Sequence, residues 1–324
     1  MSAAVFLGIV CHPPQGDLTV GVGAGSQDLL ITLIGTYFLG QKRPIPSGFL
    51  VRLLQEFDVT TVGARNGISR LAGRGLLELH KPGRNTYYHL SAEAHTHHAE
   101  RLSEIVNFGE LGAAWDGTWT VALFSVPEKH RAQRHLVRSR LAGLRFAMLY
   151  DGVWVRPGAL HREVGDALQN LDLQKVTVFS GAVVDGRVAG SDPVNAYPMD
   201  SIRDKYERFI DSLWPLRADI HAGRVGSAEA LRQRAQVMHE WRFFPDHDPL
   251  LPAELLPQDW PLRDARKAFI EIYDGLSELA DHRFRSLLSD FSPELAREVR
   301  SLTSGELLAM HLPAKGLGPL TGRT

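Results

Sequence analysis

The residues best equipped for a specific chemical task lie in one short basic stretch, residues 61–70. Arg65 and Asn66 carry side chains that read guanine and adenine edges through pairs of hydrogen bonds. Hydroxyl groups and a further arginine beside them suit hydrogen bonds to phosphate oxygens. We therefore predict a DNA-reading surface in this stretch. Its predicted members are Thr61, Val62, Arg65, Asn66, Ser69 and Arg70.

A second basic group follows at residues 81–85, Lys-Pro-Gly-Arg-Asn, between two β-like segments at 76–80 and 86–90. The Pro-Gly pair favours a tight turn, so these segments predict a hairpin. At its tip Lys81 and Arg84 would lie beside the phosphate backbone of DNA, where neutralising charge releases counterions. We predict both side chains as phosphate contacts.

Apolar spacing predicts three helices before this hairpin, and the third of them, residues 61–72, carries the reading residues. Ala64, Ile68 and Leu71 form its inward face. Gly63 and Gly67 weaken the helix, since each glycine costs about 1 kcal/mol relative to alanine. Three helices followed by a basic hairpin is the order of a winged helix-turn-helix domain, whose recognition helix enters the major groove. A plain helical bundle with a solvated polar face remains the alternative.

Composition and charge set the wider frame. The net charge is −1, with eight Lys/Arg and four acids at residues 26–90, so this segment carries +4 and the rest −5. Such asymmetry is typical of a DNA reader attached to a separate sensing or dimerising part.

One cysteine, Cys11, fits a reducing compartment. The apolar run 3–10 is too short for a membrane span. We expect a cytoplasmic protein with a flexible leader at residues 1–25.

The middle of the chain predicts a β-α-β-β-α-β order, as in ferredoxin-like domains. Its first helix, residues 128–141, is strongly basic, and Leu136, Val137 and Leu141 form its predicted apolar side. The second helix is expected near residues 163–171. A histidine-rich helix at 92–108 leads into this region, and we interpret it as a polar linker surface and not as a metal site.

The last third predicts helices at 201–213, 227–244, 262–288 and 293–309. Five prolines between residues 245 and 261 predict a long loop without regular structure. No catalytic, metal-binding or cofactor motif stands out, because the His239-Glu240 pair lacks a second histidine four residues after the first.

Several segments resemble the PaaX family of bacterial transcriptional repressors. They are LLITLIGTY at residues 29–37, the third helix and hairpin at 59–90, residues 115–157, and the proline-rich segment HEWRFFPDHDPLLPAELLPQDWP at 239–261 with its continuation to residue 276. The resemblance implies a winged-helix domain, a central ferredoxin-like domain similar to the small CRISPR-associated adaptation nucleases, and a C-terminal helical domain. The sequence has Gly63, Gly67 and Ser69 where family members carry larger residues, so the resemblance does not imply the operator sequence.

The resemblance further implies a homodimer that binds a palindromic operator on double-stranded DNA and leaves it when an acyl-CoA binds, phenylacetyl-CoA in the best-known members. Effector contacts are expected from the basic central helix and the proline-rich segment, although interdomain packing is the alternative role for the same residues. The candidates are Arg134, Arg138, Trp241, Arg242, Asp246 and Trp260.

These observations predict an α+β regulator and not an enzyme. The predicted divisions are 1–25 (leader), 26–91 (winged helix), 92–111 (helical linker), 112–192 (ferredoxin-like) and 193–324 (helical). One alternative is a metal-dependent nuclease, for which Asp116 before the first central strand is the available carboxylate. The other is a winged-helix scaffold that binds protein only.

Overall fold

The computed structural model describes residues 26–110, 114–127, 130–159, 176–183 and 192–309. The chain is divided between two compact units. The first comprises Met1–Phe108, Ser212–Asp246 and Lys267–Pro313, and the second comprises Gly109–Asp211, His247–Arg266 and Ala314–Thr324. The predicted leader and the helix predicted near 163–171 lie outside the described residues, and the five predicted sequence divisions stay a prediction.

The first unit begins with helices and a small sheet. Its elements are α1 (Ser26–Tyr37), β1 (Ile45–Pro46), α2 (Ser47–Gln55), α3 (Thr61–Gly73), β2 (Leu77–His80), β3 (Tyr87–Leu90) and α4 (Ala92–Asn107). The sheet is antiparallel in the order β1-β3-β2. Strand β1 was not predicted, since a two-residue strand ending in proline leaves no alternating pattern to detect.

The central elements of the second unit are β4 (Trp119–Phe124), α5 (Arg131–Gly143), β5 (Ala147–Tyr150), β6 (Val153–Pro157) and β7 (Val176–Gly181). They form a sheet in the order β5-β6-β4-β7, in which each adjacent pair is antiparallel. This is the strand order that the predicted split β-α-β arrangement produces.

Apolar side chains cover both faces of this central sheet. Val137 and Leu141 of α5 pack with Ala122, Phe146 and Trp154 on one face. On the other face, Trp119, Ala147 and Val155 pack with Tyr197 and Leu251. The prediction that Leu136 shares the inward side of α5 was wrong: it is 47% exposed, because it lies one position before the buried stripe.

The C-terminal part is helical, as predicted. Its elements are α6 (Met199–His221), α7 (Ser227–Trp241), α8 (Phe243–His247), α9 (Leu262–Gly275), α10 (Ser277–Ser289), α11 (Pro293–Glu298) and α12 (Ser304–Ala309), with 3₁₀ turns at Pro193–Ala196 and Ala253–Leu255. The helices predicted at 262–288 and 293–309 are each two helices. The proline-rich segment contains α8 and a 3₁₀ turn, so the prediction that it lacks regular structure was wrong.

An aromatic cluster joins α1 and α2 to the C-terminal helices inside the first unit. The rings of Tyr37 and Phe284 stack with centroids 3.8 Å apart. Phe38 and Phe49 approach Phe284 in tilted and edge-on arrangements, at 5.6 and 5.2 Å. These rings are all almost fully buried. Such pairs add to the hydrophobic free energy of burial, so the N-terminal helices and α10 share one core.

Helix α3 approaches α1 closely at a glycine. A methyl group on Gly67 would lie 2.6 Å from the Ser26 Oγ and 3.4 Å from the backbone carbon of the same residue. Ser26 itself donates a hydrogen bond to the Gly63 carbonyl, at 3.2 Å. Gly67, which sequence reasoning counted against the helix, is therefore what lets the two helices meet.

His98 of α4 is buried, contrary to the prediction of a polar linker surface. It is 9% exposed, and its Nδ1 lies 3.6 Å from where a Gly35 Cβ would be. Burial, together with the nearby charges of His97, Arg242 and His95, lowers the pKa of this imidazole to about 4. The folded protein therefore holds His98 neutral.

The free energy of unfolding should fall in mild acid because of His98. Between a pKa of about 6.5 in the unfolded chain and about 4 in the folded chain, the unfolded state binds more protons. Stability should thus fall as pH falls through this window, by about 2 kcal/mol from pH 7 to pH 5. Urea titrations across this range should show that His98→Gln removes this part of the loss. His282→Gln should keep it, since His282 is an exposed histidine of the same unit and is not among the charges that act on His98. An equal pH dependence in both variants would contradict the assignment.

Gly67→Ala should destabilise the protein by about 1–3 kcal/mol despite its better helix propensity, because the added methyl group overlaps Ser26. Gly73→Ala is the matched control, since no atom lies within 4 Å of its Cβ position. We expect this control to be neutral or to stabilise by up to about 1 kcal/mol. Thermal melting of the two variants tests the contact, which would be refuted by a Gly67→Ala protein at least as stable as the parent.

Candidate nucleic-acid interface

Helix α3 presents two distinct faces. Ala64, Gly67, Ile68 and Leu71 are buried, and the helix packs with this face against α1 and α2. Thr60 caps the start of the helix, because its side chain accepts a hydrogen bond from the Gly63 amide at 3.1 Å. The opposite face carries polar and basic side chains and no acid.

The structure brings the predicted reading residues together on that outer face. Val62, Arg65, Asn66 and Ser69 are exposed at spacings of three and four residues, so they form one surface stripe, and Arg70 is exposed beside it. Val62 is 68% exposed, which is unusual for a branched apolar side chain. Thr61 differs from the others, because it is half-buried and its Oγ1 accepts a hydrogen bond from Gln55 at 3.1 Å.

The hairpin of β2 and β3 follows α3 and ends in an exposed basic turn. Lys81 and Arg84 are both exposed, and Gly83 between them has a φ of 65°, a backbone angle that glycine adopts without strain. His80 and His89 lie across the two strands with ring centroids 5.8 Å apart. The hairpin therefore holds its two cations in a turn away from the core.

Ion pairing separates the cations of this region into two groups. Arg43 pairs with Glu294 at 2.8 Å, and Arg52 pairs with Glu56 at the same distance. Within the described parts of the chain, the other six form no ion pair: Lys42, Arg65, Arg70, Arg74, Lys81 and Arg84. Five of these lie on or directly after α3 and at the hairpin. Their charge is available to an anionic partner.

Sequence reasoning did not single out Arg74. This side chain is exposed directly after α3 and belongs to the same unpaired group. Its place in this group could have been predicted by extending the reading face of α3 by one helical turn beyond Arg70.

The predicted effector residues in the first unit have packing roles. Trp241 is fully buried, stacks on Phe269 at 4.9 Å and donates from Nε1 to the Ile105 carbonyl at 3.0 Å. Arg242 donates to the Thr32 Oγ1 at 2.7 Å. Asp246 pairs with Arg101 of α4. These contacts favour the packing role that was the alternative in the sequence.

The remaining effector candidates belong to the second unit. Arg134 donates to the Val126 carbonyl, and Arg138 pairs with Asp151, both at 2.8 Å. Trp260 lies edge-on to Tyr206, and its buried Nε1 has no hydrogen-bond partner among the described residues. Trp241, in contrast, belongs to the first unit.

The cavities of the first unit bear on the predicted effector site. Two cavities of the first unit hold about 10 and 30 Å³, room for one or two water molecules and not for an acyl-CoA.

Asp116 Oδ1 accepts hydrogen bonds from the Thr118 amide and hydroxyl, at 2.9 and 2.6 Å. The described residues contain no group of three metal-ligating side chains, and none of their helices is long and apolar enough to cross a bilayer.

Comparison with known proteins identifies the chain along most of its length. Three family models match: "PaaX-like protein" over residues 26–94, "PaaX protein central Cas2-like domain" over 112–191, and "PaaX-like protein C-terminal domain" over 197–286. The transcriptional repressor PaaX of Escherichia coli (strain K12) is 26% identical over 270 residues, which are 80% of this chain and 83% of the relative.

A solved structure agrees in fold. It is an uncharacterized protein from Mycobacterium tuberculosis, with a TM-score of 0.50 and 21% identity, and the match covers 82% of this chain and 99% of that one. At this identity the likeness concerns the fold alone. The three family models, in the same order along the chain as the segments that suggested them, confirm the resemblance, and the chain belongs to the PaaX family.

Proposed function

We propose that this protein is a DNA-binding transcription regulator that reads its operator with α3 and holds it with the β2-β3 hairpin. The observation that carries the proposal is the outer face of α3 and the hairpin turn, where exposed cations have no ion pair among the described residues. Two other cations of the same segment, Arg43 and Arg52, are in contrast paired with acids. Unpaired cations on one surface instead suit a polyanion.

The N-terminal elements support a winged-helix assignment. Helices α1, α2 and α3 precede the β2-β3 hairpin, and the short strand β1 adds a third strand to its sheet. A helix buried on one face only, with its polar face outward, has the shape that a major groove admits. We assign α3 as the recognition helix and the hairpin as the wing.

Side-chain chemistry assigns tasks along α3. Arg65 suits the two acceptors on a guanine edge, and Asn66 suits the donor and acceptor of adenine. The exposed methyl groups of Val62, one turn earlier, suit the methyl group of thymine. Ser69 and Arg70 lie further along the helix, where we expect phosphate contacts.

Repression, dimerisation and effector release are further proposals. The relative in Escherichia coli is named a transcriptional repressor, which favours repression over activation. A homodimer on a palindromic operator would place two copies of α3 in successive major grooves. An acyl-CoA effector remains a prediction from the resemblance, because neither of the two cavities described above has room for it.

Selection of bound duplexes from a randomised DNA pool, with the pure full-length protein, tests the central proposal. We expect one enriched motif with two inverted half-sites. Binding without any enriched motif would remove the reading role of α3. No binding at low salt would favour a scaffold that contacts protein only.

Arg65→Ala should reduce operator affinity by about 1–3 kcal/mol and relax the preference at one base pair in each half-site. Arg285→Ala is the control, since Arg285 is an exposed arginine of the same unit, lies on α10 and has no ion pair among the described residues. Competition binding with single-base operator variants measures both effects. Equal weakening at every base pair would make Arg65 a backbone contact.

Arg84→Ala should weaken binding to operator and to unrelated duplexes alike, because a phosphate contact does not depend on sequence. The slope of log affinity against log salt should become shallower by about 0.9. Titrations at several salt concentrations give this slope directly. A slope equal to that of the parent protein would exclude a phosphate contact at the wing.

A further inference from the structure

Helix α5 of the second unit has the same charge pattern as the recognition helix. It contains four arginines and no acid, and among the helices of the described residues only α3 shares the combination of two or more basic residues without an acid. Helices α6, α7, α9 and α10, in contrast, each mix acids with bases. Mixed charge is the ordinary pattern of a solvated helix surface, so α5 departs from that pattern.

The four arginines of α5 do not have equal roles. Arg134 bonds the Val126 carbonyl and Arg138 pairs with Asp151, so these two side chains hold the helix to its own unit. Arg131 and Arg140 are exposed. Within the described parts of the chain, neither side chain forms an ion pair or a hydrogen bond. The free cations are therefore not the pair predicted from the sequence.

The exposed face of α5 carries the two unpaired cations at its edges. Val137 and Leu141 face the sheet, and helical periodicity places Ala132 and Ser139 near the centre of the opposite face. Arg131 and Arg140 flank this face on either side, about 14 Å apart along the helix axis. His135 and Leu136, which are also exposed, lie on the same face between the two cations. Phosphate oxygens are the acceptors that arginine binds best.

We propose that α5 is a second DNA contact, in which Arg131 and Arg140 neutralise backbone phosphates without reading bases. This inference rests on the proposed DNA-binding function and assigns a task to the central domain. The partner is duplex DNA, since the bound macromolecule already offers phosphates at regular spacing. An acidic protein surface is the competing occupant.

The test compares two double variants of the full-length protein on one duplex several helical turns long. Arg131→Gln/Arg140→Gln removes two charges from α5. Arg208→Gln/Arg263→Gln removes two charges from exposed positions elsewhere in the same unit. This control accounts for the general effect of net charge, and thermal melting of both proteins checks that each is folded.

The α5 variant should show a salt slope shallower by about 1.8 and, at 0.1 M monovalent salt, an affinity about 60-fold lower. Its preference among operator variants should stay unchanged, because phosphates carry no sequence information. The control should lose at most about threefold, since unbound charges act only through screened long-range attraction.

The outcomes distinguish this inference from the proposed function. If the parent protein binds no DNA, the proposed function fails and the α5 contact fails with it. If the parent binds its operator but both double variants retain the parental slope, the recognition helix keeps its role and the α5 contact is overturned. A loss of base preference in the α5 variant would equally overturn the assignment to phosphates.

Discussion

A helix that reads DNA must leave its polar face without partners inside the protein, so its other face alone has to hold it in place. In α3 that inner face consists of Ala64, Gly67, Ile68 and Leu71. Gly67 has no side chain, which lets the backbone of α3 lie against the start of α1 at Ser26. The close approach of the two backbones, and not the bulk of a side chain, fixes α3 against α1 at this point. Helices α1 and α2, against which α3 packs, are in turn held to α10 by the aromatic cluster of Tyr37, Phe49 and Phe284.

The charge distribution follows from the same constraint. Arg43 and Arg52 are neutralised by acids within the first unit, so these cations do not add to the repulsion near α3. The cations that remain unpaired repel one another in the free protein, and contact with DNA would relieve that repulsion as counterions leave. Since the whole chain carries a net charge of −1, attraction to DNA depends on where the cations lie and not on their total.

Periodicity predicted most of this arrangement and failed where tertiary contacts decide. The inward residues of α3, the hairpin and the strand order of the central sheet follow from apolar spacing and turn residues, which are local properties. The structural role of Gly67 was misjudged, because it depends on a contact with Ser26, 41 positions earlier in the sequence. His98 was misjudged because a histidine suggested a polar surface, although it lies four residues from both Ala94 and Leu102 on the buried stripe of α4, next to α1. The free cations of α5 are also invisible in the sequence, where its four arginines look alike.

The proline-rich segment lies outside the proposed reading surface and still carries the resemblance to the family. Asp248 is almost fully buried in the second unit, where Oδ2 accepts a hydrogen bond from Tyr206 at 2.7 Å and Oδ1 accepts one from the Leu250 amide at 2.6 Å. Burial raises the pKa of this carboxyl, and the two hydrogen bonds offset part of that rise. Leu250 has a φ of 51°, an angle that side chains other than glycine rarely adopt. Few sequences satisfy a buried carboxylate and a strained backbone together, so the fold itself constrains this segment, whereas the outer residues of α3 are constrained only by the DNA that we propose they bind.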